Sequence, residues 1–330
     1  MKYKYLLPVV LGVVVCCMAR AQHDVRILSY NVENLFDTLD CPLTADDEFL
    51  PEGSHHWNSL RYRTKLRRLC DALAAGCDEE PAMLVGLCEV ENDSCVYDLC
   101  HRTMLGRLGY EYIITHSDDP RGINVALLYQ PLLFVPLSHD TLRVSEYERK
   151  GQRIPLRTRD VLHVLGQETL GGTWLDVFVV HLPSRRGGTH ESNPRRQAVA
   201  QALWQATDSI ARQRRSEGRE PRIIVMGDFN SEAKDRIFKG HRQGEDTAGL
   251  HLVTEGLRGS YRFQGLWSQL DHALLSNELY GRLLSVENVR LPFLMDNYGM
   301  PNEAPLRTFL GPVYKGGTSD HLMLRIVVRL

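Results

Sequence analysis

The sequence lacks the features that mark membrane-spanning, repetitive and strongly basic proteins. After residue 21 it has no apolar run of the about 20 residues needed to cross a bilayer, because charges, glycine or proline interrupt each run. It has no fixed-period repeat, no low-complexity linker and no block of like charge. Its 39 basic and 41 acidic side chains nearly cancel, whereas non-specific nucleic-acid binders are usually basic. Any recognition of phosphate groups by this chain must therefore be local.

Residues 1–21 have the pattern of a secretory signal peptide. Lys2 and Lys4 precede an apolar stretch over residues 6–18, and Ala19-Arg20-Ala21 has the small-x-small pattern of a signal-peptidase site. An uncleaved membrane anchor is the alternative, but the stretch is shorter than a bilayer span. We therefore expect an exported protein, periplasmic or extracellular, that begins at Gln22. Cleavage removes three basic side chains, which leaves 36 basic against 41 acidic groups, a net charge of −5.

Cysteine is sparse and confined to the first third of the chain. Beyond the signal peptide the cysteines are Cys41, Cys70, Cys77, Cys88, Cys95 and Cys100, and none of them forms a CxxC pair. This spacing does not match a zinc site. An even number of cysteines in an exported chain permits disulfides. We expect buried thiols with one or two local disulfides.

Short apolar runs typical of buried strands alternate with segments typical of amphipathic helices, which predicts an α/β fold. Strands are expected over residues 25–30, 83–90, 110–116, 124–129, 160–165, 174–181, 222–228, 269–275 and 321–328. Helices are expected over 59–75, 92–105, 194–215 and 231–239, and long loops over 240–260 and 291–317. Because no linker divides the chain and candidate site residues come from both of its ends, residues 22–330 are expected to form one catalytic domain.

Polar and ionisable residues occur where the apolar strands begin or end. These residues are Asn31, Glu89, His181, Asp228, Asn230, Asp271, Asp320 and His321. A single carboxylate at a strand end is more often a cap or a loop hydrogen-bonding group than a ligand. Together, however, carboxylates and amides without thiolates suit a hard cation such as magnesium, and a histidine paired with a carboxylate suits proton transfer or charge stabilisation. The set is typical of a metal-assisted hydrolase.

Two motifs carry a family resemblance. Gly227-Asp228-Phe229-Asn230 follows an apolar strand and Ser319-Asp320-His321 precedes the last one, in order with Glu89 and His181. In this respect the sequence resembles the endonuclease/exonuclease/phosphatase superfamily over about residues 25–330. That superfamily includes pancreatic-type deoxyribonucleases, abasic-site endonucleases, neutral sphingomyelinases and inositol polyphosphate 5-phosphatases. The resemblance implies a four-layer α/β sandwich, in which two mixed β-sheets pack face to face with helices outside.

The resemblance also implies a role for each site residue. Glu89, with Asn31 and Asp320, is expected to hold the metal, with Mg²⁺ favoured and Ca²⁺ or Mn²⁺ as alternatives. Asp228 is expected to orient or deprotonate the attacking water, and Asn230 to lie beside it on the phosphate. His321 is expected to stabilise the transition state, with Asp271 fixing its tautomer and raising its pKa. His181 resembles the second active-site histidine.

Further residues resemble exported bacterial members or substrate-binding groups of the family. Arg121-Gly122 matches the bacterial group, whereas Asn124 stands where an acid able to pair with the strand histidine is expected. Arg159 resembles an arginine that contacts substrate phosphate, and Arg185 follows His181 closely enough to join it. For these arginines a solvated surface is the alternative. Trp267 is expected in the core, with stacking on a base or lipid as the alternative.

The sequence thus predicts a secreted, divalent-metal-dependent phosphoesterase in which an activated water attacks in line, and favours a nuclease-like phosphodiesterase. A sphingomyelinase-like or inositol-phosphatase-like enzyme is the alternative, with residues 291–295 as a candidate apolar loop for a membrane. A non-catalytic binding protein on the same fold is less favoured, because the metal carboxylate and the transition-state histidine are both present. The expected partner is a phosphate-ester substrate, with nucleic acid as one candidate.

Overall fold

A computed structural model describes residues 22–78, 80–185, 187–239 and 247–330. The predicted signal peptide and part of the predicted loop over 240–260 lie outside these residues. Among the described residues, no helix combines the length and the apolar character needed to cross a membrane.

Two six-stranded sheets form the centre of the fold. Their strands are β1 (Asp24–Leu35), β2 (Leu84–Val90), β3 (Glu111–Ile114), β4 (Asn124–Tyr129), β5 (Phe134–Leu142), β6 (Val161–Glu168), β7 (Trp174–His181), β8 (Ile223–Asp228), β9 (His251–Leu252), β10 (Asp271–Leu275), β11 (Leu283–Asn288) and β12 (Leu324–Arg329). The strand order is β11-β12-β1-β2-β4-β3 in the first sheet and β9-β10-β8-β7-β6-β5 in the second. Both sheets are mixed, since β1–β2 and β7–β8 are parallel pairs whereas β1–β12 and β8–β10 are antiparallel.

Helices and small hairpins surround the sheets. The α-helices are α1 (Ser59–Cys77), α2 (Asp93–His101), α3 (Thr189–Ser216) and the short α4 (Asn277–Tyr280). Single 3₁₀ turns occur at Asp47–Phe49, Met104–Arg107, Arg236–Phe238 and Pro292–Leu294. Two-stranded hairpins pair Glu146–Arg149 with Gln152–Pro155, Tyr261–Phe263 with Leu266–Ser268, Met295–Asp296 with Ala304–Pro305, and Phe309–Leu310 with Val313–Tyr314.

Side chains along each strand point alternately to the two faces of its sheet, so the buried apolar residues form three layers. Ile27 and Val177 belong to the cluster between the two sheets. The next residue along each strand points to the opposite face, so Leu28 packs with α1 and α2 and Phe178 packs with α3. The order is therefore helices, sheet, sheet, helix, which confirms the predicted four-layer α/β sandwich.

Differences from the predicted elements have local causes. β5 and β11 were not predicted, because each lies at a sheet edge and its polar, exposed residues leave no apolar run. Helix α3 begins at Thr189, so Pro194 lies inside the helix and is not its first residue, contrary to the prediction from the preference of proline for that position. The helix expected over 231–239 is only a 3₁₀ turn.

The six described cysteines are all free. The expectation of local disulfides is therefore wrong for this structure. Buried thiols use hydrogen bonds of their own, as Cys88 donates to the Val180 carbonyl at 3.2 Å and Cys95 contacts the Glu91 carboxylate at 3.8 Å.

Candidate active site

A cleft of about 610 Å³ lies where strand ends of the two sheets meet. The predicted site residues that line it are Glu89, His181, Arg185, Asp228, Asn230, Asp320 and His321. Strand pairing explains their convergence, because Asp228 at the end of β8 is in register with His181 on one side and Asp271 on the other. A larger groove of about 1120 Å³ between α1 and α2 contains none of the predicted site residues.

Asp228 is at the centre of the site and is fully enclosed. The Asn31 side-chain amide donates to its Oδ2 at 3.1 Å, and the Asn230 backbone N–H donates to its Oδ1 at 2.8 Å. The Nε2 atoms of His181 and His321 lie 3.6 and 4.0 Å from Oδ2. Burial raises the pKa of Asp228 to about 7. The carboxyl group can therefore take up or release a proton near neutral pH.

His321 forms a tight pair with Asp271. Its Nδ1 donates to Asp271 Oδ2 at 2.6 Å, and the Ser260 hydroxyl donates to the same oxygen at 2.5 Å. Burial alone would lower the pKa of His321, but the carboxylates of Asp271, Asp228 and Asp320 hold it well above its usual value. His321 is therefore an imidazolium whose Nε2–H faces the cleft.

His181 is buried in the same cleft but has no such partner. Its Nε2 lies 3.8 Å from Glu89 Oε1 and 3.6 Å from Asp228 Oδ2, and its Nδ1 is buried with no hydrogen-bond partner among the described residues. Burial, followed by the positive charges of Arg159 and Arg121, lowers its pKa well below the usual value. His181 is therefore a neutral imidazole.

Asn124 does not pair with His181. Its side-chain oxygen accepts from the Ser117 backbone N–H at 2.7 Å, and its amide donates to the Glu91 carbonyl at 2.7 Å. The residue that departs from the family pattern thus holds together the loop that carries Arg121.

Glu89 and Asp320 line the cleft with carboxylate oxygens, whereas Asn31, the third predicted ligand, is buried and its Oδ1 accepts from the Glu33 N–H at 3.0 Å. Glu89 adopts a left-handed backbone (φ 66°), and its Oε2 accepts from the Asn34 N–H at 3.0 Å. Asp320 lies between Arg307, at 3.4 Å, and His321. Two carboxylates and an amide suit a hard divalent cation. A second group, Asp228, Asp271 and His321, has ligand atoms within 4.8 Å of one another, but the histidine Nδ1 is already hydrogen-bonded to Asp271.

The two predicted phosphate-binding arginines lie in different environments. Arg185 lines the cleft and donates to the Asn230 carbonyl at 2.8 Å. Arg159 is buried, and its donors are used by the carbonyls of His181 and Leu182, at 3.2 and 2.6 Å, and by Asp119 at 3.1 Å. The structure therefore does not bring Arg159 to the cleft surface and instead places it behind His181.

Arg121 lines the cleft, although its sequence motif alone did not predict a role in substrate binding. Its guanidinium lies 3.9 Å from Glu89 Oε1 and donates to the Asn34 side chain. It lines the cleft with Arg185. The match of Arg121-Gly122 to the exported bacterial members of the family was the sequence signal that could have indicated this position.

The hairpin of Tyr261–Phe263 and Leu266–Ser268 also lines the cleft, and neither its strands nor its place in the site was predicted from the sequence. The available sequence signal was the Gln264-Gly265 pair between two short runs that contain aromatic residues, because a two-residue connection with glycine is typical of a tight hairpin turn. Trp267 on this hairpin does not line the cleft and contacts Arg258 and Arg290, whose guanidinium carbons lie 5.7 and 5.2 Å from the ring centroid.

Comparison with known proteins agrees with this architecture. A family model described as the endonuclease/exonuclease/phosphatase family matches residues 26–330. A search of curated proteins found no match.

Solved structures share the fold at low sequence identity. The human nocturnin catalytic domain with bound sulfate anion has a TM-score of 0.57 at 18% identity, covering 94% of this chain and 98% of that chain. An endonuclease/exonuclease/phosphatase from Bacteroides vulgatus has a TM-score of 0.60 at 16% identity, and the match covers 93% of this chain and 99% of that chain. A mannosyl-6-phosphatase from Bacteroides thetaiotaomicron has a TM-score of 0.58 at 16% identity, covering 93% and 99%. At these identities the likeness supports the fold alone.

Proposed function

Because this chain belongs to the endonuclease/exonuclease/phosphatase family and is thus a hydrolase of phosphate esters, we propose that it is a secreted, divalent-metal-dependent phosphodiesterase of the nuclease type. The observation that carries the proposal is the convergence of Glu89, Asp228 and His321 in one cleft, with His321 Nε2 4.0 Å from Asp228 Oδ2. Export is proposed from the signal-peptide pattern of residues 1–21 alone.

Different residues of the cleft have separate roles in the in-line attack of water on the phosphate ester. Asp228 orients the water and accepts its proton, since its pKa near 7 suits proton transfer at neutral pH. Asn31 and Asn230 hold that carboxyl group in place. His321 donates from Nε2 to a phosphoryl oxygen as negative charge develops there, and Asp271 keeps the ring protonated and oriented.

Glu89, Asp320 and Asn31 would hold the cation. The carboxylate and amide oxygens of these three residues favour Mg²⁺, with Ca²⁺ and Mn²⁺ as alternatives. When bound, the cation supplies neutralisation of charge on a phosphoryl oxygen or on the leaving alkoxide. Arg121 and Arg185 add forked donors for phosphate oxygens at the cleft wall.

A membrane-directed lipid phosphoesterase receives less support. In the apolar segment 291–295, Leu294 and Met295 are buried and only Phe293 is a large exposed apolar side chain. Ordinary packing accounts for most of this segment.

The test is an assay of the purified protein against DNA, RNA, sphingomyelin, inositol phosphates, a sugar phosphate and a generic phosphodiester. Each substrate is tested with Mg²⁺, Ca²⁺, Mn²⁺ or a chelator. We expect hydrolysis of phosphodiesters that the chelator abolishes and added metal restores. Activity that persists in chelator would overturn the metal requirement, and hydrolysis of none of the substrates would favour a binding protein.

A further inference from the structure

Lys65 of helix α1 is a buried cation that has no role in the mechanism described so far. It is 1% exposed. Its Nζ donates to the Glu33 carbonyl at 3.0 Å, to the Thr308 hydroxyl at 2.6 Å and to the Thr318 carbonyl at 2.7 Å. An ammonium group has three donors, so these partners satisfy all of them. Lys65 therefore joins a helix to two segments from opposite ends of the chain.

The ammonium group of Lys65 stays charged at neutral pH in spite of its burial. Burial lowers its pKa to about 8, and the negative charges of Glu33, Asp320 and Glu89 oppose that shift. Lys65 can therefore use three donors under the conditions in which the cleft is expected to act. Two of the carboxylates that act on it, Glu89 and Asp320, are expected cation ligands.

The contact with Glu33 fixes an irregular turn of β1. The pairing of β1 with β2 shifts between Asn31 and Leu35, and Glu33 and Asn34 both have a left-handed backbone, with φ of 51° and 56°. Residues other than glycine keep this conformation only where surrounding contacts hold it. The hydrogen bond from Lys65 is one such contact.

That turn orients Glu89 through one peptide group. The Glu33 carbonyl, which accepts from Lys65, and the Asn34 N–H, which donates to Glu89 Oε2 at 3.0 Å, belong to the same peptide unit. The C=O and N–H of a planar trans peptide point in opposite directions. Lys65 on one side of this peptide therefore sets the direction of the hydrogen bond that Glu89 receives on the other.

The other two contacts hold the segment that leads to Asp320. Thr318, whose carbonyl accepts from Lys65, lies two residues before Asp320. Thr308 lies beside the turn of β1, since its backbone N–H donates to Glu33 Oε2 at 2.6 Å. The position of Asp320 thus depends on the same buried group as the turn of β1.

Resting on the proposed function, we propose that Lys65 is a positioning residue that holds the carboxylates of Glu89 and Asp320 in the arrangement that binds the divalent cation. Without the ammonium group, two buried carbonyls lose their donor and the peptide that orients Glu89 is free to turn. Groups that orient metal ligands typically change metal affinity about 10- to 100-fold when they are removed. A residue that only fills space would change stability and leave metal affinity as it is.

The test measures binding of Mn²⁺ alone to chelator-treated, dialysed protein, from the electron paramagnetic resonance signal of free Mn²⁺. Lys65→Met keeps the apolar stem and removes the ammonium group, and should raise Kd for Mn²⁺ at least about tenfold, with a smaller change in kcat at saturating Mn²⁺. Leu69→Ala is the matched control, because Leu69 is fully buried one turn further along α1. It should lower the midpoint of urea unfolding and leave Kd unchanged. An unchanged Kd in Lys65→Met, or an equal rise in Leu69→Ala, would overturn the proposal.

A milder pair of variants tests the same contact if Lys65→Met does not fold. Thr308→Val is close in shape but removes the hydroxyl that accepts from Lys65, whereas Thr308→Ser keeps it. Thr308→Val should raise Kd for Mn²⁺ by up to about fivefold, as expected for one hydrogen bond, and Thr308→Ser should bind as the unmodified protein does. Equal Kd values for the two variants contradict the proposal.

Hydrogen exchange in the metal-free protein separates failure of this inference from failure of the proposed function. In Lys65→Met, exchange should become faster in peptides that cover residues 30–36 and 316–322, more than in Leu69→Ala of similar stability. Faster exchange in both peptides with weaker Mn²⁺ binding supports the positioning role even if no ester is hydrolysed, in which case only the proposed function fails. Unchanged exchange in both peptides contradicts the positioning role even if the protein is an active phosphodiesterase.

Discussion

His181 and His321 are both buried and place Nε2 at 3.6 and 4.0 Å from Asp228 Oδ2, yet one ring is neutral and the other is positively charged. Burial lowers the pKa of both rings. His321 overcomes this through a 2.6 Å hydrogen bond to Asp271, whereas the Nδ1 of His181 has no hydrogen-bond partner within the described chain. The comparison teaches that a carboxylate at one ring nitrogen, and not the degree of burial, decides which histidine donates a proton.

The largest effect is expected from Asp228→Asn, which removes the carboxyl group that both histidines face. The amide cannot accept a proton from water, so kcat should fall by at least about 10²-fold, the range of general acid–base catalysis. Steady-state kinetics and the midpoint of urea unfolding are the measurements. Retention of more than about a tenth of the rate would contradict the role of Asp228.

His321→Ala should lower kcat by about 10²- to 10³-fold, because it removes a charged donor aimed at the developing negative charge. His163→Gln is the matched control, since His163 forms a similar pair with Asp176 at 2.9 Å outside the cleft. A control that loses as much activity as His321→Ala would show a general effect on folding instead.

Asp271→Asn should lower the rate less and change its pH dependence. Without the carboxylate the pKa of His321 falls, so the loss of activity on the alkaline side, where the ring deprotonates, should move to lower pH. A pH–rate profile of kcat checks this. An unchanged alkaline limb would mean that the protonated form of His321 is not required.

His181→Gln should have a smaller effect, about tenfold in kcat. A neutral ring supplies one polar contact, and because the lowered pKa keeps it neutral over the assay range, the pH profile should keep its shape. If this variant moves the alkaline limb and Asp271→Asn does not, the two assignments are reversed.

The smallest expected effect is on the pH dependence of the free energy of unfolding. The contributions of His181 and His321 to it change in opposite directions with pH. Because the folded pKa of His321 is raised, its contribution is fully present below about pH 6.5 and is lost as pH rises through that folded pKa. The folded pKa of His181 is lowered, so its contribution is present above about pH 6.5 and is lost as pH falls. Each unit of pKa difference corresponds to about 1.4 kcal/mol. Urea unfolding of His321→Gln and His181→Gln between acid and alkaline pH should give differences from the unmodified protein that trend in opposite directions.

Much of the fold follows from local pattern. The strands at Asn124–Tyr129 and Trp174–His181 match their predicted bounds, because an apolar run bounded by polar residues is a strong local signal. The edge strand Phe134–Leu142 escaped prediction, because its solvent-exposed side carries polar residues and its register is set by pairing with β6.

The sequence by itself determined which chemical groups are available and the strand ends at which they lie, because motif order and apolar runs are local properties. Only the tertiary structure decided how closely Asp271 approaches His321, that His181 is neutral, that Arg159 is buried behind the site, and that Tyr261 and Phe263 face the cleft. These outcomes depend on desolvation and on distances of a few ångströms between groups far apart in sequence, such as Asp271 and His321. Packing of the two sheets sets those distances, and residue spacing along the chain does not.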